Sequence, residues 1–250
     1  MEKCLFPKFK GIEILMDFCR KQLLENEVGS LLSNGNVLLY GSAGGGKSLL
    51  IARYFLPYIA KQGTTFVVCD FNGDYPEEFR KLEFNPWTQT PSQIAALARN
   101  SLMESTVVQR PEPGSSVGEE WDVFLAELMV QMEKAKQPLR KWWLLVDVSS
   151  HSHSLSNLPH ILERSERYNL NVIVTSQGPG RLGKNLLRHF NRFVQCGPCA
   201  FKVDRVVPFD LLGFSPNERK EVDRATDSQN PLEITIIGKK LIPAYFFLKN

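Results

Sequence analysis

Short runs of consecutive apolar residues alternate along this chain with longer segments in which apolar positions recur every three or four residues. The first periodic segment, 11–32, places Ile12, Leu15, Met16, Cys19, Leu23 and Leu24 on one helical face and ends near Gly29. "NVLLY" (36–40) reads as a buried strand, and 47–60 as a helix that Pro57 bends or ends. "TTFVVCD" (64–70) is a second strand, 91–105 a helix, and 110–118, rich in Pro, Gly and Ser, an exposed loop. Helix 119–135, strand "KWWLLVD" (141–147), helix 157–169 and strand "LNVIVTSQ" (170–177) continue the alternation. Helix 183–190, strand "NRFVQC" (191–196) and helix 215–225, with Ser215 as its cap before Pro216, come next. Strands 232–238 and 241–249 close the chain as a hairpin turning at Gly238, Lys239 and Lys240.

Strands that alternate with helices predict an α/β fold: a mostly parallel central sheet flanked by helices, with a C-terminal β-hairpin. Residues 1–35 read as a helical lead-in and 36–250 as a single globular domain, with no internal repeat. A length of 250 residues suits one well-buried domain and allows at most two.

Composition narrows the class without choosing a function. Charged residues at 23% and hydrophobic ones at 43% exclude a wholly disordered or fibrous chain. A net charge of +3 permits contact with a polyanion but does not argue for it. No apolar run approaches the roughly 20 residues of a membrane span, and the first residues lack the apolar core of a secretory signal. These features read as a soluble intracellular protein. The five cysteines (Cys4, Cys19, Cys69, Cys196, Cys199) are odd in number and scattered, which suits a reducing compartment. "CGPC" (196–199) has the spelling of a redox site, but it follows a strand and opens no evident helix, so a turn is the expectation. His151 and His153 have no partner at a regular zinc spacing and read as part of a polar loop.

The chemistry is concentrated in Gly41-Ser42-Ala43-Gly44-Gly45-Gly46-Lys47-Ser48, which satisfies G-x-x-x-x-G-K-[ST] between an apolar strand and a helix. Glycines let backbone N–H groups turn inward and approach phosphates closely, and the helix start adds partial positive charge. Lys47 reaches the β and γ phosphates and Ser48 ligates magnesium, with Leu49 completing the cradle. ATP and Mg2+ are the implied cofactors. Asp147 ends its apolar strand where a second, magnesium-holding carboxylate is expected. No N-K-x-D stretch supports a GTPase. A nucleotide kinase stays open, with Arg181, Arg188 and Arg192 as lid cations, as does a P-loop switch that binds ATP and regulates a partner.

Further strand ends carry a family likeness. Asp70, Gly73 and Tyr75 follow the second strand, Gln177 ends "VIVTSQ", and Asn191 and Arg192 open the next strand. With the P-loop, these resemble the FtsK and HerA superfamily of DNA-pumping ATPases over about 36–195. The resemblance implies an ASCE/RecA-like P-loop NTPase acting as a homo-oligomeric ring, usually a hexamer, that hydrolyses ATP between neighbours and translocates double-stranded DNA. It implies Gln177 as a polar sensor, bonded to the γ phosphate or to the attacking water. It implies an arginine finger in trans, with Arg192 first, then Arg167 and Arg164. Members usually place a Glu directly after the Asp of the second motif, whereas Val148 follows Asp147 here, so Asp70, then Asp74, is nominated to polarise the water. Arg110, Arg181 and Lys184 are candidate DNA contacts. A bare motor of this size is similar to the genome-packaging ATPases of membrane-containing, double-jelly-roll viruses. That likeness implies host cytoplasm with virion association, and capsid vertex proteins as docking partners. Phage-assembly and conjugative ATPases are the alternatives within the superfamily.

Overall fold

The computed structural model describes residues 21–22, 25–33, 35–62, 65–69, 106–109, 117–134, 141–147, 155–199, 202–217, 219–220, 233–238 and 244–247. The strands are β1 (Lys21–Gln22), β2 (Val37–Tyr40), β3 (Thr65–Cys69), β4 (Thr106–Gln109), β5 (Trp142–Asp147), β6 (Leu170–Ser176), β7 (Arg192–Cys196), β8 (Glu233–Gly238) and β9 (Ala244–Phe247). They form one sheet in the order β1-β9-β8-β7-β2-β6-β5-β3-β4. The six adjacent strands from β7 to β4 run parallel, and β8 pairs antiparallel with both β7 and β9. The predicted α/β class, its parallel centre and its closing hairpin are therefore present.

The helices are α1 (Glu25–Leu32), α2 (Lys47–Leu50), α3 (Leu56–Lys61), α4 (Val117–Lys134), α5 (Leu158–Arg164), α6 (Lys184–Leu187) and α7 (Lys202–Leu212). Alternation of side chains along each strand feeds two cores, one on each face of the sheet. Leu38 and Tyr40 of β2 join Leu144, Val172 and Phe193, covered by Leu125 and Leu128 of α4 and Ile161 of α5. Val37 and Leu39 join Leu145, Ile173 and Val194 on the other face, covered by Val28 and Leu31 of α1 and by Leu50, Phe55 and Ile59. Both faces of β2 are thus sealed, and its functional end is its C-terminal tip.

Four elements differ from the sequence expectation. Lys21 and Gln22 lie within the segment read as a lead-in helix, but they form β1, parallel to Phe246 and Phe247 of β9. An open sheet edge offers unpaired backbone groups that a short strand can satisfy, and helical periodicity cannot foresee that. β4 and α7 carry no expectation at all: β4 is four residues long, and Pro208 sits inside α7 and breaks the pattern. The helix after the P-loop contains a π turn, Ile51–Phe55, immediately before Pro57 in the first turn of α3. Proline has no N–H to give to the helical ladder, and a π turn is one way to absorb the mismatch. The helix expected over 91–105 lies outside the described residues, as do residues 110–116 of the loop expected over 110–118, whereas Val117 and Gly118 belong to the first turn of α4 and not to that loop.

Candidate functional site

Register places the chemistry at one edge of the sheet. Tyr40, the last residue of β2, pairs with Ser176 on one side and Gln195 on the other, so Gly41, Gln177 and Cys196 emerge side by side. Asp147 pairs with Thr175 one strand further on. Of the expected residues, the P-loop, Asp147 and Gln177 are brought together at these parallel strand tips. Asp70, Asp74, Gly73, Tyr75, Arg110, Val148, His151 and His153 lie outside the described residues.

The P-loop leaves β2 at Gly41 and re-enters helix at Lys47. Gly45 N–H donates to Ser42 O at 3.1 Å, and Leu50 N–H to Gly46 O at 2.8 Å. Ala43, Gly44 and Ser48 are exposed, Ser42 and Leu49 half-buried. Lys47 Nζ donates to Gly41 O at 2.7 Å and Ser42 O at 3.0 Å, so the ammonium lies inside the loop. Burial lowers its pKa from the usual lysine value, a shift opposed by the nearby Asp147 carboxylate. A partly desolvated cation held on two loop carbonyls is complementary to a phosphate chain.

Asp147 is buried at 3% exposure, and Thr175 Oγ1 donates to its Oδ1. This neighbour from β6 fixes the carboxylate's orientation. Ser48 and Asp147 together offer hard oxygen donors of the kind magnesium takes. Gln177 follows β6 directly, and Arg181 Nη1 donates to its Oε1 at 2.7 Å.

Sequence reasoning missed the contribution of 196–199. The segment turns after β7, as expected, with Gly197 at φ +65°. Its role is in the contacts: Ser42 N–H and Oγ both donate to Pro198 O, at 3.1 and 2.8 Å. A Cβ on Gly41 would stand 2.0 Å from Cys196 O, and one on Gly45 2.2 Å. Two P-loop glycines are therefore needed to let the β7 tip close on the loop, besides whatever they admit on the ligand side. No spacing rule joins residue 42 to residue 198; only the adjacency of β2 and β7 does. The Cys196 thiol is fully buried and pushed up to about 12, chiefly by desolvation, which is the opposite of a reactive thiolate.

Arg192 is a correction. It opens β7 opposite Val37, at the end of the sheet away from the P-loop. It is 9% exposed, and its guanidinium donates through Nε to Leu31 O at 3.1 Å and through Nη2 to Ser30 O at 3.4 Å. Those are terminal carbonyls of α1, so Arg192 caps that helix and its guanidinium is buried against it. The neighbouring Asn36 is also structural: Nδ2 donates to His189 O, Ser165 Oγ and Leu162 O, and Oδ1 accepts from Val172 N–H. Arg164 pairs with Glu133, whereas Arg167 is exposed, its guanidinium 5.7 Å from the Tyr168 ring centre. Lys184 is exposed at the start of α6.

Among the described residues no helix is long and apolar enough to cross a membrane, and no cluster of three or more His, Cys, Asp or Glu could hold a metal ion. No family model and no curated protein matches the sequence. Solved structures do. The genome-packaging NTPase B204 from Sulfolobus turreted icosahedral virus 2, in complex with AMPPCP, is 12% identical, with a TM-score of 0.61 over 87% of this chain and 98% of that one. VirB4 of Thermoanaerobacter pseudethanolicus is 12% identical, with a TM-score of 0.62 over 86% and 89%. The bacterial conjugative coupling protein TrwB, lacking its first 70 residues, is 11% identical, with a TM-score of 0.61 over 92% and 89%. The resemblance read from the motifs thus holds at the level of the fold: the chain has the P-loop NTPase fold of these structures.

Proposed function

We propose that the protein is an ATP-hydrolysing translocase of double-stranded DNA, of the viral genome-packaging type, working as a homo-oligomeric ring. The observation that carries this reading is the convergence, at neighbouring parallel strand tips, of the P-loop with Lys47 inside it, the buried Asp147 and the polar Gln177. A ground-state binder needs only the loop; a carboxylate and a carboxamide beside it suit chemistry at the γ phosphate.

In this reading the P-loop amides and Lys47 hold the β and γ phosphates. Ser48 and Asp147 would hold magnesium, which would supply charge neutralisation at the phosphate oxygens. Asp70 polarises the attacking water and Gln177 reports on the γ phosphate. Arg192 being committed to α1, the finger passes to the exposed Arg167. The likeness in fold to B204, over 98% of that chain, supports the packaging role, with capsid vertex proteins as docking partners and host cytoplasm as the place of work. VirB4 and TrwB match with similar TM-scores, and their likeness supports DNA transfer in conjugation as the second reading.

The test is ATP turnover by the purified chain with and without long double-stranded DNA, together with electron microscopy in the presence of ATP. DNA-stimulated turnover, weakening steeply with salt, and rings with a central hole are expected. Phosphate transfer to a nucleoside monophosphate by a monomer would instead establish a kinase.

A further inference from the structure

Gln177 can serve a nucleotide in two opposed ways, with Nε2 donating to a phosphate oxygen or with Oε1 accepting from the attacking water. The choice is made by its neighbour. Arg181 is four residues on, across the short 3-10 turn Pro179–Arg181, and its Nη1 lies 2.7 Å from Gln177 Oε1. A guanidinium has donors and no acceptor, so the carboxamide must turn its oxygen toward Arg181 and its NH2 away.

The turn that sets this geometry is itself pinned. Asp204, in the first turn of α7 and 3% exposed, accepts from Gly180 N–H at 2.9 Å. A Cβ on Gly178 would stand 2.2 Å from Asp204 Oδ2, so the carboxylate fills the space between the two glycines. Ser176 Oγ closes the other side, donating to Gly178 O at 2.9 Å.

We infer that Arg181, held by the Asp204-anchored turn, is a positioning residue that engages the oxygen of Gln177 and so orients its NH2 as a donor to the γ phosphate. This rests on the reading of the P-loop as an ATP site. Gln177 then discriminates a nucleoside triphosphate from a diphosphate, and activating the water falls to a carboxylate.

The experiment is calorimetric titration of the purified full chain with ATPγS and with ADP, in magnesium, for the wild type, Gln177→Ala, Arg181→Ala, Arg181→Lys and the Gln177→Ala/Arg181→Ala double variant. Loss of an oriented bond to a charged phosphate weakens ATPγS binding by about tenfold in Arg181→Ala while ADP affinity stays within about twofold. Arg181→Lys recovers part of the loss, and the double variant binds no more weakly than Gln177→Ala. An unchanged ratio of ATPγS to ADP affinity in Arg181→Ala would overturn the inference. So would a further loss on adding Arg181→Ala to Gln177→Ala, which would make Arg181 a direct phosphate ligand. A wild type that binds neither nucleotide would overturn the ATP reading, and this inference with it.

Discussion

Ser42 gives both its backbone N–H and its hydroxyl to a single acceptor, the carbonyl oxygen of Pro198, at 3.1 and 2.8 Å. The bond joins the rim of the P-loop to a segment 156 residues later in the chain. It makes the shape of the phosphate cradle depend on the β7 tip, which packs on the loop so closely that two of its glycines have no room for a methyl group.

Glycine substitutions should separate that packing from backbone strain. Gly45→Ala puts a Cβ 2.2 Å from Cys196 O, a backbone atom that cannot swing aside. Gly44→Ala meets nothing within 4 Å and bears only the strain of φ +73°. Gly44→Ala should cost about 1 kcal/mol and Gly45→Ala about 2–4 kcal/mol. Chemical denaturation ranks them, and equal losses would count against the close contact.

Cys196 gives the protein an alkaline weakness. In the unfolded chain the thiol ionises near 9.0, whereas burial pushes it up to about 12 in the fold. The stabilisation from keeping it protonated is complete below pH 9 and is lost as pH rises toward 12, by an amount on the order of a few kcal/mol. Cys196→Ala should therefore show a flatter fall in melting temperature above pH 9 than the wild type. Parallel curves would show that the thiol is not held protonated.

Thr175 is expected to matter through Asp147. Its hydroxyl donates to a carboxylate that is 3% exposed, and Thr175→Val keeps the shape but removes the donor. A buried carboxylate that loses such a bond costs about 1–3 kcal/mol. In the proposed ATPase the misdirected oxygen should also raise the magnesium concentration needed for half-maximal turnover. Turnover measured against magnesium checks this, and an unshifted midpoint would separate Thr175 from the metal site.

Much of this arrangement is legible in the sequence, because strand tips are where apolar runs stop. "NVLLY" before the glycines, "KWWLLVD" before Val148 and "VIVTSQ" before Gly178 locate β2, β5 and β6 and the residues at their ends. What a run cannot say is which strand lies beside which. The contact of Ser42 with Pro198, and hence the meaning of "CGPC", follows from β7 lying next to β2. Arg192 shows the converse: an arginine at a strand start looks available in sequence, yet the last turn of α1 offers two carbonyls that take up its guanidinium. The Asp204 anchor was hidden by Pro208, which masks α7 as a helix.

The two arginines with opposite placements give the sharpest functional contrast. Arg192→Ala removes a buried cap and leaves carbonyls of α1 without their donor, so it should lower stability by about 1–3 kcal/mol. Turnover per folded ring should survive, because burial and the α1 carbonyls keep this guanidinium from a neighbour's phosphate. Arg167→Ala loses an exposed side chain and should leave the melting temperature nearly unchanged, but in the proposed ring it removes charge stabilisation at the neighbour's γ phosphate, lowering turnover by about 10³-fold or more. Mixing the two defects is the decisive measurement. Subunits carrying Lys47→Ala have a dead cradle but an intact Arg167, and subunits carrying Arg167→Ala have the reverse. Each alone should be inactive, and co-assembled they should regain part of the activity, since an interface that pairs the intact cradle with the intact arginine works. Full activity in Arg167→Ala, or no recovery on mixing, would exclude Arg167 as the group supplied in trans.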